Sequence, residues 1–265
     1  MNDPRPIGIF DSGIGGLTVL AALREQLGEE SFLYLGDTAR LPYGTKSPET
    51  VVRYALRAAR YLAAHDVKLL VVACNTASAA ALEALQEALP IPVVGVVHAG
   101  ARTAAARAGA RVGVVGTEST IASGAYRRAL HALRPELEIA SRACPLFVPL
   151  AEEGWLDHPV THDVARIYLA PFAAEGVDTL ILGCTHYPLL RPAIQTAVGS
   201  GVTLVESGPA VATEVAGLLA ARGLLATGGG FVRLQVTDAA AHFSRMARLI
   251  LGGEAVDLEL VDLAD

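Results

Sequence analysis

The chain has 265 residues, of which 52% are hydrophobic, so it can bury the core of one large domain or of two domains of ordinary size. Its formal net charge of −6 is spread over residues of both signs, so we expect no basic surface for nucleic acid. No apolar run approaches the roughly 18 residues of a membrane span, and the first residues lack a signal-peptide pattern, so we expect a cytoplasmic protein without a membrane partner.

Strands and helices are predicted to alternate in the first part of the chain. Apolar, β-branched runs predict strands at residues 7–10, 31–36, 69–73 and 93–97. Helical patterns follow them, at residues 17–27, from Ser47-Pro48 to about residue 65, at 78–89 and from residue 98 onward. Loops at the ends of such strands are where sites usually lie, notably residues 38–44 after Asp37.

The alternation restarts in the second part. Strands are predicted at residues 111–115, 144–149, 177–182, 202–205 and 231–236. Helices are predicted through Tyr126 and Leu130, over residues 160–174, after Pro209 and after the last strand. Residues 150–154 are predicted as the loop that ends the 144–149 strand.

This order of elements predicts an α/β protein with mainly parallel sheets flanked by helices. Residues 7–12 resemble residues 112–117, and residues 72–74 resemble residues 182–184, which indicates an internal duplication. We therefore expect two pseudo-symmetric lobes with the active site between them. Residues 1–97 and 208–265 would form the N-terminal lobe, and residues 98–207 the second lobe.

Two cysteines occupy matched positions in this repeat. Cys74 and Cys184 each follow a buried-type strand, and ligands of parallel sheets bind beyond the carboxyl ends of the strands. The third cysteine, Cys144, has no polar neighbour in sequence and is predicted to lie in the core. An odd number of cysteines without C-x-x-C spacing favours free thiols over disulfides or a structural zinc site.

Thiols that face each other across a cavity indicate racemisation of a carbon acid. One removes a proton from the substrate and the other returns a proton to the opposite face, and a thiol pKa of about 8.5 is close to working pH. We expect Asp11 and His186 to assist, one near each thiol, and each cysteine to begin a helix. Short side chains that can donate hydrogen bonds to the carboxylates of a small diacid follow predicted strands, namely Asn75, Thr76, Thr117, Thr120 and Thr185.

Five motifs together resemble glutamate racemases, within the cofactor-independent aspartate/glutamate racemase superfamily. They are residues 8–17, 35–44, 73–77, Val148-Pro149 with Glu152, and 182–189, and they extend over nearly the whole chain. The resemblance implies that Cys74 acts on the D-enantiomer and Cys184 on the L-enantiomer. It also implies assistance from Asp11, Glu152 and His186. The substrate contacts that it implies are Asp11, Ser12, Tyr43, Gly44, Asn75, Thr76, Thr185 and His186, with Thr117 and Thr120 nearby.

The same resemblance implies that D-glutamate is supplied for peptidoglycan, that no cofactor or metal is required, and that the protein is a homodimer. Two departures from the family pattern concern the lobe geometry rather than the thiols. His98-Ala99 stands where the family usually has an acidic or amide residue followed by Pro, and Val236-Thr237-Asp238 replaces Thr-Gly-Asp.

Other readings of single motifs are weaker. Residues 13–16 with Asp37 suggest a dinucleotide site, but Thr18 stands where G-x-G-x-x-G needs glycine. Pyridoxal phosphate would need a Schiff-base lysine, and neither Lys46 nor Lys68 is well placed. Asp37 could instead hold the loop around Arg40. The alternatives left open for the whole protein are an aspartate racemase and a non-catalytic diacid-binding protein.

Overall fold

The computed structural model describes residues 3–253 and 257–263. Within these ranges the chain forms ten strands in two sheets. The strands are β1 (Ile7–Asp11), β2 (Phe32–Gly36), β3 (Leu69–Val72), β4 (Val93–Gly95), β5 (Arg111–Gly116), β6 (Glu138–Ala143), β7 (Thr179–Gly183), β8 (Thr203–Glu206), β9 (Val232–Val236) and β10 (Asp257–Leu260). The first sheet has the order β10-β9-β2-β1-β3-β4 and the second the order β6-β5-β7-β8. Neighbouring strands are parallel in both, which confirms the predicted fold class.

Helices connect and cover these strands. They are α1 (Leu17–Gln26), α2 (Pro48–Ala64), α3 (Asn75–Ala88), α4 (Val96–Arg107), α5 (Glu118–Ala122), α6 (Ala125–Leu133), α7 (Phe147–Glu152), α8 (Pro159–Ala174), α9 (Arg191–Val198), α10 (Ser207–Arg222) and α11 (Ala240–Ile250). Ser47 caps α2 as predicted, because its hydroxyl accepts the N–H of Thr50. Across the described ranges, no helix is both long enough and apolar enough to cross a bilayer.

The first sheet is buried on both faces, as expected of parallel strands. Ile7 and Ile9 of β1 pack into one core with α1 and α10, whereas Phe10 packs into a second core with α2 and α3. Helix α4 joins the two sheets, because Ala99 packs in the core of the first sheet and Ala101 packs with strands of the second. The carboxyl ends of β1 and β3 thereby come to face those of β5 and β7.

Two predicted elements are wrong in place or type. Residues 144–149 are not a strand: β6 comes before them, and Phe147 begins the short helix α7. The last backbone hydrogen bond between β6 and β5 runs from the N–H of Cys144 to the Gly116 carbonyl, at 2.9 Å. Pro145 has no N–H, so the pairing with β5 cannot continue past it. Glu152 therefore lies in the last turn of a helix and not in a loop.

The predicted strand at residues 93–97 stops at Gly95, and α4 begins at Val96. The Ser78 hydroxyl accepts the N–H of Val97 at 3.2 Å, which supplies the helix start with a cap from a neighbouring helix. A side chain at position 95 would meet that same hydroxyl at 2.5 Å, so glycine is needed there. The exposed edge strand β10 was not predicted.

A buried ion pair fastens the C-terminal part of the chain to the first sheet. Lys68, immediately before β3, is fully buried, and its Nζ lies 2.5 Å from Glu30 Oε2. The same ammonium group donates to the carbonyls of Asp3 and Leu224, each at 2.8 Å. Glu30 Oε1 in turn accepts the N–H of Ala226 at 2.8 Å. The pair thus holds four separate segments together.

We expect Lys68→Met to lower the free energy of unfolding by about 3–5 kcal/mol, because it leaves the Glu30 carboxylate buried without a cation. Denaturant unfolding measures this. The control is Arg166→Met, which removes an exposed ion pair with Asp163 and is expected to cost less than about 1 kcal/mol. A Lys68→Met protein as stable as this control would contradict the expectation.

Candidate active site

A cavity of about 160 Å³ lies between the facing carboxyl edges of the two sheets. Most of the site residues predicted from sequence line it: Ser12, Tyr43, Gly44, Cys74, Asn75, Thr76, Thr117, Cys184, Thr185 and His186. The remaining three, Asp11, Glu152 and Thr120, lie directly behind this lining and make hydrogen bonds to it. The other lining residues are Pro42, Thr45, Glu118, Pro145, Val148 and Pro149.

Cys74 is the N-cap residue of α3. Its sulfur accepts the N–H of Ala77 at 3.4 Å and lies 3.6 Å from the Ser12 hydroxyl. Burial, followed by the negative charge of Asp11, raises the pKa of Cys74 to about 12. The free cavity therefore holds Cys74 as a neutral thiol at neutral pH.

Cys184 has a different partner. Its sulfur lies 3.8 Å from Nδ1 of His186, whose Nε2 lies 3.0 Å from Glu152 Oε1. Burial lowers the pKa of His186, but the contacts with Cys184 and Glu152 outweigh it and raise that pKa to about 10. Cys184 does not begin an α-helix, contrary to expectation. A 3₁₀ turn at Tyr187–Leu190 comes first, and α9 starts at Arg191.

Asp11, at the end of β1, lies beneath the cavity and is fully buried. Its carboxylate accepts the N–H of Gly13 at 2.9 Å, and the Thr185 hydroxyl of the opposite sheet lies 3.5 Å away. Burial raises the pKa of Asp11, which the positive charge of His186 and these hydrogen bonds partly oppose. Since a carboxylate already occupies the amides of this glycine turn, the turn is not shaped for a nucleotide phosphate.

Three threonine hydroxyls form a closed triangle at one end of the cavity. Thr76 Oγ1 lies 3.0 Å from Thr117 Oγ1 and 3.1 Å from Thr120 Oγ1, and the last two lie 2.9 Å apart. Thr76 belongs to α3, whereas Thr117 caps α5 after β5. The triangle therefore connects the two halves of the site and offers hydroxyl donors to an anionic group.

Asn75 is buried beside Cys74, and its amide is held on one side only. Oδ1 accepts the Tyr126 hydroxyl at 2.6 Å and the Ser207 hydroxyl at 3.3 Å. Among the described residues, Nδ2 has no hydrogen-bond partner. A buried donor of this kind is costly unless a ligand satisfies it, so Nδ2 is suited to binding an anion.

The Tyr43-Gly44 turn closes the cavity and is held from behind by Asp37. The Tyr43 hydroxyl donates to Asp37 Oδ2 at 2.7 Å, and Arg40 Nη1 lies 2.8 Å from Oδ1. Thr237 donates to the same Oδ1 at 3.1 Å and accepts the N–H of Ala39 at 2.9 Å. Asp37 thus holds a loop in place, and Thr237, one of the departures from the family pattern, adds a contact to it.

Neither lysine lines the cavity, since Lys68 is engaged by Glu30 and Lys46 lies outside the lining. Within residues 3–253 and 257–263, no group of three or more His, Cys, Asp or Glu side chains is placed to hold a metal ion. Cys144 is fully buried in the core of the second sheet, as expected.

Three residues close to the site were not predicted. Gly15 approaches His186 so closely that a Cβ there would lie 2.5 Å from Nδ1. Tyr126 and Ser207 contact Asn75 from the second sheet's side and from the start of α10. For Gly15, the glycine-rich turn was a sequence signal. Tyr126 and Ser207 had none, since both are far from Asn75 in sequence and reach it only in the folded chain.

Comparison with known proteins finds relatives along the whole chain. Residues 13–215 match the family described as Asp/Glu/Hydantoin racemase. A glutamate racemase of Geobacter metallireducens is 55% identical over 263 residues, which cover 98% of this chain and 97% of that protein. The crystal structure of glutamate racemase isoform RacE1 from Bacillus anthracis has a TM-score of 0.95 at 41% identity, with 98% of both chains covered.

The crystal structure of glutamate racemase from Francisella tularensis in complex with D-glutamate has a TM-score of 0.93 at 39% identity and also covers 98% of both chains. These matches agree with the resemblance inferred from the motifs. They extend over both sheets and over the residues that line the cavity. The chain therefore belongs to the Asp/Glu/Hydantoin racemase family.

Proposed function

We propose that this protein interconverts L-glutamate and D-glutamate, without a cofactor, by moving a proton between the two faces of Cα. The observation that carries the proposal is that Cys74 and Cys184, from two different sheets, line one small cavity. The relatives described above support glutamate as the substrate, since they are glutamate racemases and one was crystallised with D-glutamate.

In the direction from L- to D-glutamate, the Cys184 thiolate takes the Cα proton and an S–H bond forms. The electron pair of the broken C–H bond delocalises onto the α-carboxylate. The Cys74 thiol then gives its proton to the opposite face of Cα, which forms the new C–H bond and leaves Cys74 as a thiolate. In the reverse direction the two cysteines exchange roles, so no external oxidant or reductant is needed.

The surroundings of each thiol suit these roles. His186, whose pKa is about 10, is an imidazolium at neutral pH, and its positive charge lies beside the Cys184 sulfur, 3.8 Å from Nδ1. Burial and Asp11 keep Cys74 protonated, ready to donate. The α-ammonium group of a bound substrate offsets the charge of Asp11 and lowers the cost of the Cys74 thiolate that forms.

The substrate carboxylates would be held by the donors that remain free in the cavity. Asn75 Nδ2 has no protein partner, and the hydroxyls of Thr76 and Thr117 can turn from each other toward an anion. Ser12, Tyr43, Gly44, Thr185 and Thr120 complete the binding site in this proposal.

We further propose that residues 1–97 with 208–265, and residues 98–207, are two lobes with the active site between them. The protein would act as a homodimer in the cytoplasm and supply D-glutamate for peptidoglycan. The two lobes are supported by the repeated motifs at residues 7–12 and 112–117 and at 72–74 and 182–184, whereas the homodimer and the peptidoglycan role are implied by the resemblance to glutamate racemases.

The two-thiol route predicts a specific labelling pattern in deuterium oxide. When L-glutamate is the substrate, early D-glutamate is expected to carry deuterium at Cα, while the remaining L-glutamate stays unlabelled, because the donating thiol exchanges with solvent. Mass spectrometry of the separated enantiomers measures this. Equal labelling of both pools would contradict two separate bases, and an absence of racemisation would contradict the proposed function. With L-aspartate we expect a lower kcat/KM.

Cys74→Ser and Cys184→Ser are each expected to lower kcat for racemisation by about a thousandfold or more, because a serine hydroxyl is a far weaker base than a thiolate. Polarimetry follows the reaction. Cys144→Ala is the matched control, since this thiol lies in the core outside the cavity lining, and its kcat is expected to match that of the unchanged protein. If either serine variant keeps full activity, the two-thiol mechanism is wrong.

Glu152→Gln removes the negative charge that helps to keep His186 protonated. The pKa of His186 then falls, so the imidazolium is lost at lower pH. We expect the alkaline limb of kcat/KM for L-glutamate to move to lower pH by about 1 unit or more. The control is Glu153→Gln, an exposed neighbour, which should leave the profile in place. An unmoved alkaline limb in the Glu152 variant would show that this carboxylate does not act through His186.

Gly15→Ala tests the close approach of the glycine turn to the Cys184 side. The added Cβ would clash with Thr185 Oγ1 and lie 2.5 Å from His186 Nδ1, so both side chains must move. We expect kcat/KM to fall by about a hundredfold, as displacements near 1 Å do. Gly217→Ala, on the exposed face of α10 with open space around it, should keep full activity. Normal activity in the Gly15 variant would refute the steric argument.

A further inference from the structure

We infer that Tyr126 and Ser207 are positioning residues that turn the amide of Asn75 so that its Nδ2 faces the substrate. The inference rests on the proposed function, because it assigns the cavity to an anionic amino acid. The two residues do not line the cavity themselves. They act on the substrate only through Asn75.

The contacts that support this inference are short and buried. The hydroxyl of Tyr126 lies 2.6 Å from Asn75 Oδ1, and that of Ser207 lies 3.3 Å from the same atom. All three side chains are buried, with 2–3% of each residue exposed. Water therefore does not compete for these hydrogen bonds, and the amide orientation depends on the two hydroxyls.

The hydroxyl of Tyr126 distinguishes the two ends of the amide. With Oδ1 facing it, the phenol proton has an acceptor and Nδ2 is left for the cavity. With the amide turned round, Nδ2 would take the place of that acceptor, so the 2.6 Å hydrogen bond would be lost and the phenol proton would have to turn to the neighbouring Ser207 hydroxyl. Burial also raises the pKa of Tyr126, so the phenol keeps its proton and remains a donor.

Tyr126 also contacts the other half of the site. A Cβ at Gly183 would meet the ring at 3.0 Å, and Gly183 directly precedes Cys184. A Cβ at Gly100 of α4 would meet the ring and hydroxyl at 3.4 Å. One side chain of α6 therefore lies close to the residue before Cys184 and donates a hydrogen bond to the residue after Cys74. The substrate-binding amide is oriented only when the second sheet is docked behind it.

Tyr126→Phe keeps the ring and removes only the hydroxyl, so we compare the glutamate affinity and kinetics of this variant with those of the unchanged protein. We expect Kd by calorimetry and KM for both enantiomers to rise about tenfold, while kcat changes less than about threefold, since the thiols are untouched. Ser207→Ala should weaken binding in the same sense but less, because its contact is longer. Tyr61→Phe, on α2 and outside the cavity lining, is the matched control and should bind as the unchanged protein does.

A double-mutant cycle separates positioning from a general structural effect. In the background of Asn75→Ala, the Tyr126→Phe change is expected to have no further effect on Kd, because no amide remains to be oriented. The same tenfold loss in both backgrounds would overturn the inference, as would unchanged affinity in Tyr126→Phe or in Ser207→Ala. Since affinity is measured by calorimetry, this outcome is independent of racemisation, whose absence would instead overturn the proposed function.

Discussion

The site depends on one constraint, that parallel strands of both sheets end at edges that face each other. β3 and β7 are completely buried along their lengths, and each stops one or two residues before a cysteine. The thiols are therefore held by rigid core elements and not by long mobile loops, which gives the separation of the two groups the precision that proton transfer requires. The turn at residues 12–16 and the threonine triangle then close the space between them.

The ionisable groups around the cavity are buried, so the charge of each one affects the pKa of its neighbours. Both thiols follow a buried strand but have unlike neighbours, a carboxylate near Cys74 and an imidazole paired with Glu152 near Cys184. A symmetric pair of buried thiols would favour neither direction of proton flow. The unequal neighbours hold Cys74 as a neutral thiol and place the positive charge of His186 beside Cys184, so the electrostatic surroundings of the two thiols differ.

Much of the fold follows from local chemistry and could be predicted, including β1 with its glycine turn and the capped start of α2 at Ser47. Cys74, Cys184 and the polar residues next to them could be predicted because they directly follow apolar strands, whereas Ser12, Tyr43 and Gly44 were predicted from the resemblance to glutamate racemases. The helix at Phe147 was missed because residues 144–149 are as apolar as a strand, although Pro145, which has no N–H for a strand ladder, was a local signal against one. Contacts such as those of Tyr126 have no local pattern, because distant segments create them only when the sheets meet. The roles of the individual site residues remain predictions.

The return of the C-terminal segment to the first sheet has a consequence for how the protein is made. A ribosome delivers β5 to β8 before it delivers β9, so a nascent chain can complete the second sheet while the first is still unfinished. During that interval β2, with the sequence Phe-Leu-Tyr-Leu-Gly, is an unpaired edge beside β1. Such an edge is a template for pairing with other chains, so the newly synthesised protein exposes this template until β9 has been delivered.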